Sequence, residues 1–319
     1  MKCSIIIPYS YSTDRVKRVF HSLENQDFDH DDYELIFINY GKSDDLADYI
    51  AEYEPKVRVR CFTLPECRVG QAKNHGIRRA SGELLIFING DEIASKNFVS
   101  GHYSAYKKHG RPVMQFGLTK QVFEDNDKVF FENRELLRNG IRYWLTEPEN
   151  YGLDKHKSYY FIKDIRLKML EPYYYDFDKV QYKMIFTQTS NLSIPMECIR
   201  RYGGIDDNFR EKEIEDWEFG YRMMKNGVDI VYNPEVAVLH LYEKENYDSK
   251  RYSEWKDNLD IMLRKYNDSF LDELEEFKSF FDPVRRERIR KTQPGKNIWL
   301  EIYKNLERTA HKPVYASVN

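Results

Sequence analysis

The sequence predicts an α/β fold with a mostly parallel central sheet flanked by helices. Short continuous apolar runs, such as CSIIIPY and YELIFIN, recur in the N-terminal third and are typical of strands buried on both faces. Segments with apolar residues at helical spacing lie between these runs. Strand, helix and strand in this order predict parallel pairing through right-handed crossovers.

The predicted elements follow one another closely up to residue 89. The strands are CSIIIPY, YELIFIN, KVRVRCF and ELLIFIN, and the helices between them are RVKRVFHSLENQ, DDLADYIAEY and GQAKNHGIRRAS, the last ended by Gly82. Ligands of such sheets bind beyond the carboxyl ends of the strands. We therefore expect one crevice to be lined by the strand ends Pro8-Tyr9, Asn39-Tyr40 and Asn89-Gly90-Asp91.

The pattern changes after residue 117. Residues 118–185 are rich in aromatic and charged residues without a clean period, and we interpret them as an insertion that covers the site. Pro195 and Gly203-Gly204 then predict the start and the end of a short helix.

Three further segments complete the predicted order. EIEDWEFGYRMMKNG is predicted to be a helix, with acids at its start and an Asn-Gly stop. VDIVYNPEVAVLHLYE is predicted to form two short strands around Asn233-Pro234. Helices are predicted after residue 245, in WKDNLDIMLRKYNDSFLDELEEFKSFF and NIWLEIYKNLER, with a basic run at residues 285–291 between them.

Composition excludes several classes of protein. The chain has 319 residues, of which 41% are hydrophobic and 32% charged, as expected for a globular protein with a proper core. The net charge of −3 does not favour nucleic acid as a partner. No apolar stretch approaches the roughly 18 residues of a membrane span, and the start MKCSIIIPYS lacks a signal sequence. The four cysteines show neither metal-binding spacing nor a disulfide framework, so we expect a cytoplasmic protein.

An acid at the end of a buried strand predicts a ligand site. Asp91 is the strongest candidate for a metal ligand, since hard cations prefer carboxylate oxygen, and Gly90 lets a ligand approach the backbone. The alternative is a turn whose acids cap the following helix.

Four motifs in order resemble the family 2 glycosyltransferases, which have the GT-A nucleotide-diphospho-sugar fold. They are SIIIPYSYSTDRVKRVFHSLENQ, GQAKNHGIRRASGELLIFINGDEI, TSNLSIPMECIRRYGGIDDNF and EIEDWEFGYRMMKNG. The resemblance covers about residues 3–243. It implies a metal-dependent inverting enzyme that moves a sugar from a nucleotide-diphosphate donor, with UDP favoured, to a glycan, peptide or lipid-linked acceptor.

The resemblance also implies the donor and metal residues. Asp91 matches the last acid of the family's D-x-D motif and is expected to bind the Mn²⁺ or Mg²⁺ that bridges the diphosphate. Asn89 stands at the first position of that motif, where an amide can hydrogen-bond the ribose. His240, after the Asn-Pro turn, is the expected second metal ligand, with a structural histidine as the alternative.

The catalytic residues are implied in the same way. Asp216 matches the general base, and Glu215 beside it, together with burial, can raise the pKa of one carboxyl towards neutrality. The alternative is an acid-rich helix start in solvent. Trp217 is expected either to line the acceptor pocket or to pack its helix, and Asn191 belongs to the acceptor-side segment.

Besides Asn89, three positions depart from the family pattern. Asn39 and Tyr40 stand where the family has acids, and they can pair with and stack on the nucleotide base. Lys73 replaces an arginine, keeping a cation near base or phosphate but losing the planar fork. Asn74 matches the pattern, and Pro8 and Tyr9 at the first strand end complete the expected nucleotide-binding set.

We predict a glycosyltransferase domain at residues 1–245, with a nucleotide-sugar half (1–117) and an acceptor half (118–245). Residues 246–319 would form a helical extension for acceptor docking or dimerisation. The basic run at 285–291 is most simply a solvated helix face, with contact to an anionic membrane or an acidic partner as the alternative.

Two rival functions stay open from the residues alone. One is a decayed glycosyltransferase that binds a nucleotide or a partner without turnover, motivated by Asn39, Lys73 and Asn89. The other is a different enzyme on a similar sheet, which is disfavoured because PYSYSTDR lacks the glycine-rich loop that dinucleotides and nucleotidyltransferases require.

Overall fold

The computed structural model describes residues 1–10, 13–41, 45–124, 142–144, 148–151, 153, 155–162, 164–209, 214–241, 249–276 and 282.

Ten strands form one mixed sheet within these residues. They are β1 (Cys3–Tyr9), β2 (Tyr33–Asn39), β3 (Arg58–Thr63), β4 (Leu84–Phe87), β5 (Glu92–Ala94), β6 (Val113–Glu124), β7 (Arg142–Trp144), β8 (Tyr159–Ile162), β9 (Leu192–Pro195) and β10 (Asp229–Leu241). The order is β3-β2-β1-β4-β9-β6-β10-β5, with β8 paired to β6 and to β7. The pairs among β3, β2, β1 and β4 are parallel, and so is β6 with β10, whereas β9 runs antiparallel between β4 and β6.

Helices cover both faces of the sheet. They are α1 (Thr13–Glu24), α2 (Leu46–Tyr53), α3 (Val69–Ile77), α4 (Phe98–His109), α5 (Ile165–Leu170), α6 (Met196–Tyr202), α7 (Glu215–Lys225) and α8 (Ser249–Tyr266). Short 3₁₀ turns include Lys183–Phe186 and Ser269–Glu276.

Successive residues of β1 enter different cores, as the alternation of a strand requires. Ile6 belongs to the larger core with α3, α6, α7 and α8, while Ile5 and Ile7 belong to the smaller core with α1, α2 and α4. A strand buried on both faces must be apolar throughout, which explains the continuous run in the sequence. The predicted α/β class is confirmed.

Two sequence predictions of local structure are wrong. Residues 229–241 form one strand rather than two, and the Asn233-Pro234 turn appears as a shift in pairing with β6 between Tyr232 and Ala237. A bulge of this kind accommodates a proline without ending the strand. Residues 118–185 are not irregular throughout, because β6 continues to Glu124 and β8 and α5 lie within this range.

The predicted C-terminal extension begins with α8, which packs into the larger core through Trp255, Leu259 and Met262. Its last turn contacts α7, because Lys265 Nζ lies 2.7 Å and Tyr266 Oη 2.5 Å from Glu218 Oε1. The proposed boundary at residue 245 and the basic run at 285–291 lie outside the described residues, so the domain division stays a prediction.

None of the described helices is both long and apolar enough to cross a bilayer. All four cysteines lie in the described residues, and no disulfide bond joins them.

α7 packs unusually closely on the segment that follows the Lys183–Phe186 turn. A Cβ atom at Gly220 would lie 2.2 Å from Thr187 Oγ1. The Thr187 hydroxyl itself lies 2.9 Å from the carbonyl oxygen of Asp216, one turn earlier on α7. A glycine at this position therefore allows α7 to come this close to the segment that contains Thr187.

We expect Gly220→Ala to destabilise the protein by about 1–3 kcal/mol through overpacking, although alanine is the better helix former by about 1 kcal/mol. Urea unfolding measures this change. Thr187→Ala in the same background removes two of the clashing atoms, so the double variant should be more stable than the sum of the single effects. Strict additivity would contradict the proposed clash.

A buried polar cluster joins α4 to β6 and β9. His102 is fully buried, with Nδ1 2.9 Å from Ser193 Oγ and 2.8 Å from Gln115 Nε2, and Nε2 2.9 Å from Asn191 Oδ1. Because the Gln115 amide nitrogen can only donate, Nδ1 accepts and Nε2 donates to Asn191. Burial lowers the pKa of His102 to about 4, so the ring is neutral in the folded protein.

The stability of the protein should fall as the pH decreases from 6.5, the ordinary pKa of histidine, towards 4. In this window the unfolded chain binds a proton at His102 that the folded chain excludes, a difference that reaches about 3 kcal/mol at the acid end. His102→Gln should flatten this part of a pH series of urea unfolding curves, whereas the exposed control His109→Gln should not. Parallel curves for the His102 variant and the parent would contradict a neutral His102.

Candidate active site

The three strand ends predicted to share a crevice do meet. The Tyr40 amide donates to the Tyr9 carbonyl oxygen at 3.0 Å, and the Gly90 amide donates to the Pro8 carbonyl oxygen at 3.2 Å. A Cβ atom at Gly90 would lie 2.3 Å from that of Tyr9. Only glycine therefore lets the chain after β4 come this close to the end of β1.

The side chains at this edge differ in what they offer a ligand. Asn39 is 1% exposed, and its Oδ1 accepts from the Gly41 amide at 2.9 Å. Tyr9 is 2% exposed, with its ring edge-on to Phe37 in the smaller core. Tyr40 and Asn89 are half-buried. Tyr40 and Asn89 are thus the more accessible of the expected nucleotide-binding side chains at these strand ends.

Asp91 and His240 lie together at the end of β10. His240 Nε2 is 3.0 Å from Asp91 Oδ2, and His240 Nδ1 is 2.8 Å from Gln121 Oε1 on β6. With the Gln121 amide in this orientation, Nδ1 donates and a neutral imidazole turns its Nε2 lone pair towards the carboxylate. Two lone pairs at this distance require a proton or a cation between them.

The pair fits one side of a divalent metal site. Adjacent ligands at about 2.1 Å from an octahedral ion lie about 3 Å apart, which matches the Asp91–His240 separation. Among the described residues no group of three histidine, cysteine or acidic side chains could hold a metal ion. At this point the described residues thus offer Asp91 and His240 as donors, and phosphate oxygens or water are suited to the remaining positions.

Glu92, the neighbour of Asp91, was not singled out from the sequence. It is 1% exposed, and its Oε2 accepts from the Asn89 amide at 2.9 Å. Burial raises the pKa of Glu92, the charge of Asp91 adds to this, and His240 and a hydrogen bond from Ser190 oppose it. Through its hydrogen bond to the Asn89 amide, Glu92 stabilises the turn that contains Asn89 and Asp91.

Asp216 lies in the first turn of α7 with its carboxylate held from three directions. Oδ2 accepts from the Thr189 amide at 3.1 Å, and Oδ1 accepts from Thr189 Oγ1 at 2.7 Å and from Lys73 Nζ at 3.3 Å. The side chain is 18% exposed. Asp216 therefore combines a fixed orientation with access to a bound molecule.

Lys73 faces the two acids at the start of α7, Glu215 and Asp216. It is 3% exposed, its Nζ lies 3.6 Å from Glu215 Oε1, and it donates to Thr189 Oγ1. Burial lowers the pKa of Lys73, but Asp216 and Glu215 raise it by more, so the net pKa lies above the ordinary value. The side chain is an ammonium ion, and its expected contact with the nucleotide stays a prediction.

The backbone immediately before the two acids is strained. Ile214, at the start of α7, has a φ of 70° and is 1% exposed. A β-branched residue in the left-handed region is a genuine outlier and costs on the order of 1–3 kcal/mol. The strain sits where the chain turns to present Glu215 and Asp216.

Two consecutive residues, Thr189 and Ser190, join the surroundings of Asp216 to those of Asp91 and His240. Thr189 donates hydrogen bonds to Asp216 through its amide and its hydroxyl. The Ser190 hydroxyl donates a hydrogen bond to Glu92, the neighbour of Asp91. Ser190 Oγ also lies 3.5 Å from Thr119 Oγ1 on β6. Sequence reasoning missed both residues, and the polar run QTSN before β9 was the available signal.

Three expected site residues have clear structural contacts. Asn74 exchanges hydrogen bonds with the backbone of Ile205, at 2.7 Å to its oxygen and 2.9 Å from its nitrogen. Asn191 bonds His102 and, through Nδ2, the Leu118 carbonyl oxygen at 2.8 Å. Trp217 is 7% exposed in the larger core. Their contacts to substrate stay predictions.

The chain is similar to known glycosyltransferases. The family described as Glycosyl transferase family 2 matches residues 4–170. Validoxylamine A glucosyltransferase from Streptomyces hygroscopicus subsp. limoneus is 24% identical over 293 residues, a match that covers 90% of this chain and 62% of that relative. The chain thus spans less than two thirds of that relative's length.

Solved structures share the fold. TarS from Staphylococcus aureus in complex with UDP-GlcNAc superimposes with a TM-score of 0.57 at 14% identity, covering 96% of this chain and 79% of that chain. The mannosyltransferase PcManGT from Pyrobaculum calidifontis, in complex with GDP-Man and Mn²⁺, gives 0.53 at 13% identity, covering 97% and 74%.

The family match spans just over half of the 319 residues and agrees with the motifs and the sheet described above. The chain therefore belongs to glycosyl transferase family 2 and is a glycosyltransferase with the GT-A fold.

Proposed function

We propose that this glycosyltransferase moves a sugar from a nucleotide-diphosphate donor to an acceptor in one inverting displacement. Asp91 and His240 would hold a divalent ion, and Asp216 would act as the general base. One observation carries the proposal: the Asp91–His240 pair and Asp216 belong to the same site, where Ser190 and Thr189 join their surroundings.

The donor would lie across the ends of β1, β2 and β4. We favour a UDP-sugar, supported by the UDP-GlcNAc bound to TarS, whereas PcManGT binds GDP-Man. Tyr40 can stack on a base, and the half-buried Asn89 can hydrogen-bond a ribose. These two side chains are proposed to orient the nucleoside.

Asp91 and His240 would hold the divalent ion beside the diphosphate of the donor. A bound divalent ion would neutralise the charge that develops on the leaving nucleoside diphosphate. Gln121 holds the His240 ring so that Nε2 faces Asp91, as outer partners of metal ligands commonly do.

The acceptor would be activated on the other side of the site. As the acceptor oxygen bonds to the anomeric carbon, the bond from that carbon to the phosphate oxygen breaks, and the acceptor proton passes to an Asp216 carboxylate oxygen. Thr189 orients that carboxylate through two hydrogen bonds. A glycan, a peptide or a lipid-linked molecule suits this chemistry equally.

Both predicted halves of the domain contribute to this site. Lys73 and Asp91 come from residues 1–117, and Thr189, Asp216 and His240 come from residues 118–245. We propose that catalysis belongs to residues 1–245, with the later residues supporting α7 through α8.

Thermal unfolding against a panel of UDP- and GDP-sugars, with and without Mn²⁺, tests the proposal. A ligand that binds only the folded state raises the midpoint. One donor should give a metal-dependent rise, and that donor should then release nucleoside diphosphate with an acceptor from a glycan library. A folded protein that responds to no nucleotide under either condition would contradict the proposal.

Asp91→Asn should weaken metal-dependent nucleotide binding by at least tenfold (order of magnitude), since it removes one of two protein ligands. Gln121→Leu should weaken the same binding by about 10-fold, less than Asp91→Asn does, because it removes no ligand and only releases the His240 ring. Calorimetric titration of UDP at fixed Mn²⁺ measures both. His109→Ala, at an exposed position on α4, is the control. Unchanged metal dependence in Asp91→Asn would show that this residue is not a ligand.

Asp216→Asn should lower the transfer rate by about 10²–10⁴-fold while donor affinity stays close to the parent value, because an amide cannot take the acceptor proton. Single-turnover transfer and calorimetry separate the two quantities. Asp229→Asn, which breaks a surface ion pair with Arg111, is the matched control. A variant that loses donor affinity but transfers at the parent rate when saturated would contradict the base assignment.

A further inference from the structure

A buried ammonium group lies between the two acids at the start of α7. The Lys73 side chain is 4% exposed, with Nζ 3.3 Å from Asp216 Oδ1 and 3.6 Å from Glu215 Oε1. The Glu215 side chain is 5% exposed. Two carboxylates with adjacent positions in the chain therefore lie close to the same buried cation.

Two carboxylates cannot both stay ionised in such a place without compensation. Burial disfavours each charge, and each charge disfavours the other, so without a nearby cation one of the two carboxyls takes up a proton. A proton on Asp216 would leave it unable to act as a general base. The site thus needs a positive charge at the position that Lys73 occupies.

Among the described residues, the other charged side chains close to α7 pair with groups other than Glu215 and Asp216. Lys183, on the turn packed against α7, pairs with Asp178, and Lys265 on α8 pairs with Asp206 and Glu218. The described elements that pack on α7 or Lys73 also carry Arg222, paired with Glu218, Lys225, paired with Asp268, and Asp229 on β10, paired with Arg111. Arg200 and Arg201 on α6 are exposed, His240 on β10 pairs with Asp91, and Tyr40 favours the charge of Lys73.

We propose that Lys73 is a positioning residue for the general base: its ammonium group compensates Glu215 and Asp216 so that Asp216 stays ionised and aimed at the acceptor. The inference rests on the proposed function, since it assigns Asp216 as the base. It gives Glu215 a distinct role, because Glu215 remains as the counter-ion of Lys73 once Asp216 has received the acceptor proton.

Thr189 links the two charges in the same arrangement. Its hydroxyl accepts from Lys73 Nζ and donates to Asp216 Oδ1, so the orientation of that hydroxyl depends on the ammonium group. Loss of the charge at residue 73 would therefore disturb both the protonation and the orientation of the base.

Carboxyl ¹³C NMR of the full-length protein across pH tests the inference, with the Asp216 signal assigned from Asp216→Asn. In Lys73→Met the pKa of Asp216 should rise by about 1–3 units, and in Lys73→Arg it should stay near the parent value because the charge remains. Lys265→Met is the matched control, since it also removes a lysine that bridges two carboxylates, and it should leave Asp216 unchanged.

The double variant Lys73→Met with Glu215→Gln keeps the test decisive if Lys73→Met folds poorly. Removing one acid together with the cation rebalances the charge, so the double variant should fold and its Asp216 pKa should return towards the parent value. An Asp216 titration that does not respond to Lys73→Met, or that stays displaced in the double variant, would overturn the inference.

Activity adds an independent measurement. The acidic limb of the pH profile for transfer should move upwards in Lys73→Met by the same amount as the Asp216 titration, and Lys73→Arg should restore it. A loss of donor affinity with an unmoved profile would place Lys73 on the nucleotide instead and overturn the inference. The NMR result does not need turnover, so a failure of the proposed function would appear separately, as a parent protein without transfer activity.

Discussion

The candidate site depends on the compensation of buried negative charge. It contains two pairs of acids that are adjacent in the chain, Asp91-Glu92 and Glu215-Asp216, and each pair has one basic partner. The partner of the first pair is the imidazole of His240, and the partner of the second is the ammonium group of Lys73. Three of these four acids are buried, and burial of a charge without compensation is strongly unfavourable. Lys73 supplies the compensating charge to the second pair, and a proton or a cation beside His240 supplies it to the first.

The difference between an imidazole and an ammonium group suits the two acid pairs to different roles. An imidazole can be neutral at physiological pH and has a lone pair to give, so the Asp91–His240 pair is open to a divalent cation. An ammonium group has no lone pair and keeps its charge, so the second pair is already compensated and has no need of a metal. Ser190 and Thr189 connect the two pairs, so in the proposed mechanism the metal ligands and the base keep a fixed relation to each other.

The parts of this arrangement that could be predicted from the sequence have local signals. Apolar runs followed by polar residues marked the strand ends and Asp91, and an acid-rich helix start marked Asp216. Lys73 and Asp216 are 143 positions apart, and Asp91 and His240 are 149 apart, so their contacts depend on sheet order and not on any local pattern. Asn74 and Asn191 illustrate the same limit, because a family motif does not distinguish an amide that braces the backbone from one that binds a ligand.

The departures from the family pattern also acquire a physical meaning. Asn39 and Asn89 lie at the strand ends, where Asn39 closes a turn onto Gly41 and Asn89 meets Glu92 through its backbone amide. Neither substitution removes a member of the two acid pairs or of their partners, and the lysine that replaces an arginine keeps the required charge. The position of α7 is fixed by the contact of Glu218 with Lys265 on α8 and by the close approach of Gly220 to Thr187. The helix begins directly after the strained Ile214. A chain that had lost catalysis would have no reason to maintain this strain and these buried charges, which favours an enzyme over a decayed binding module.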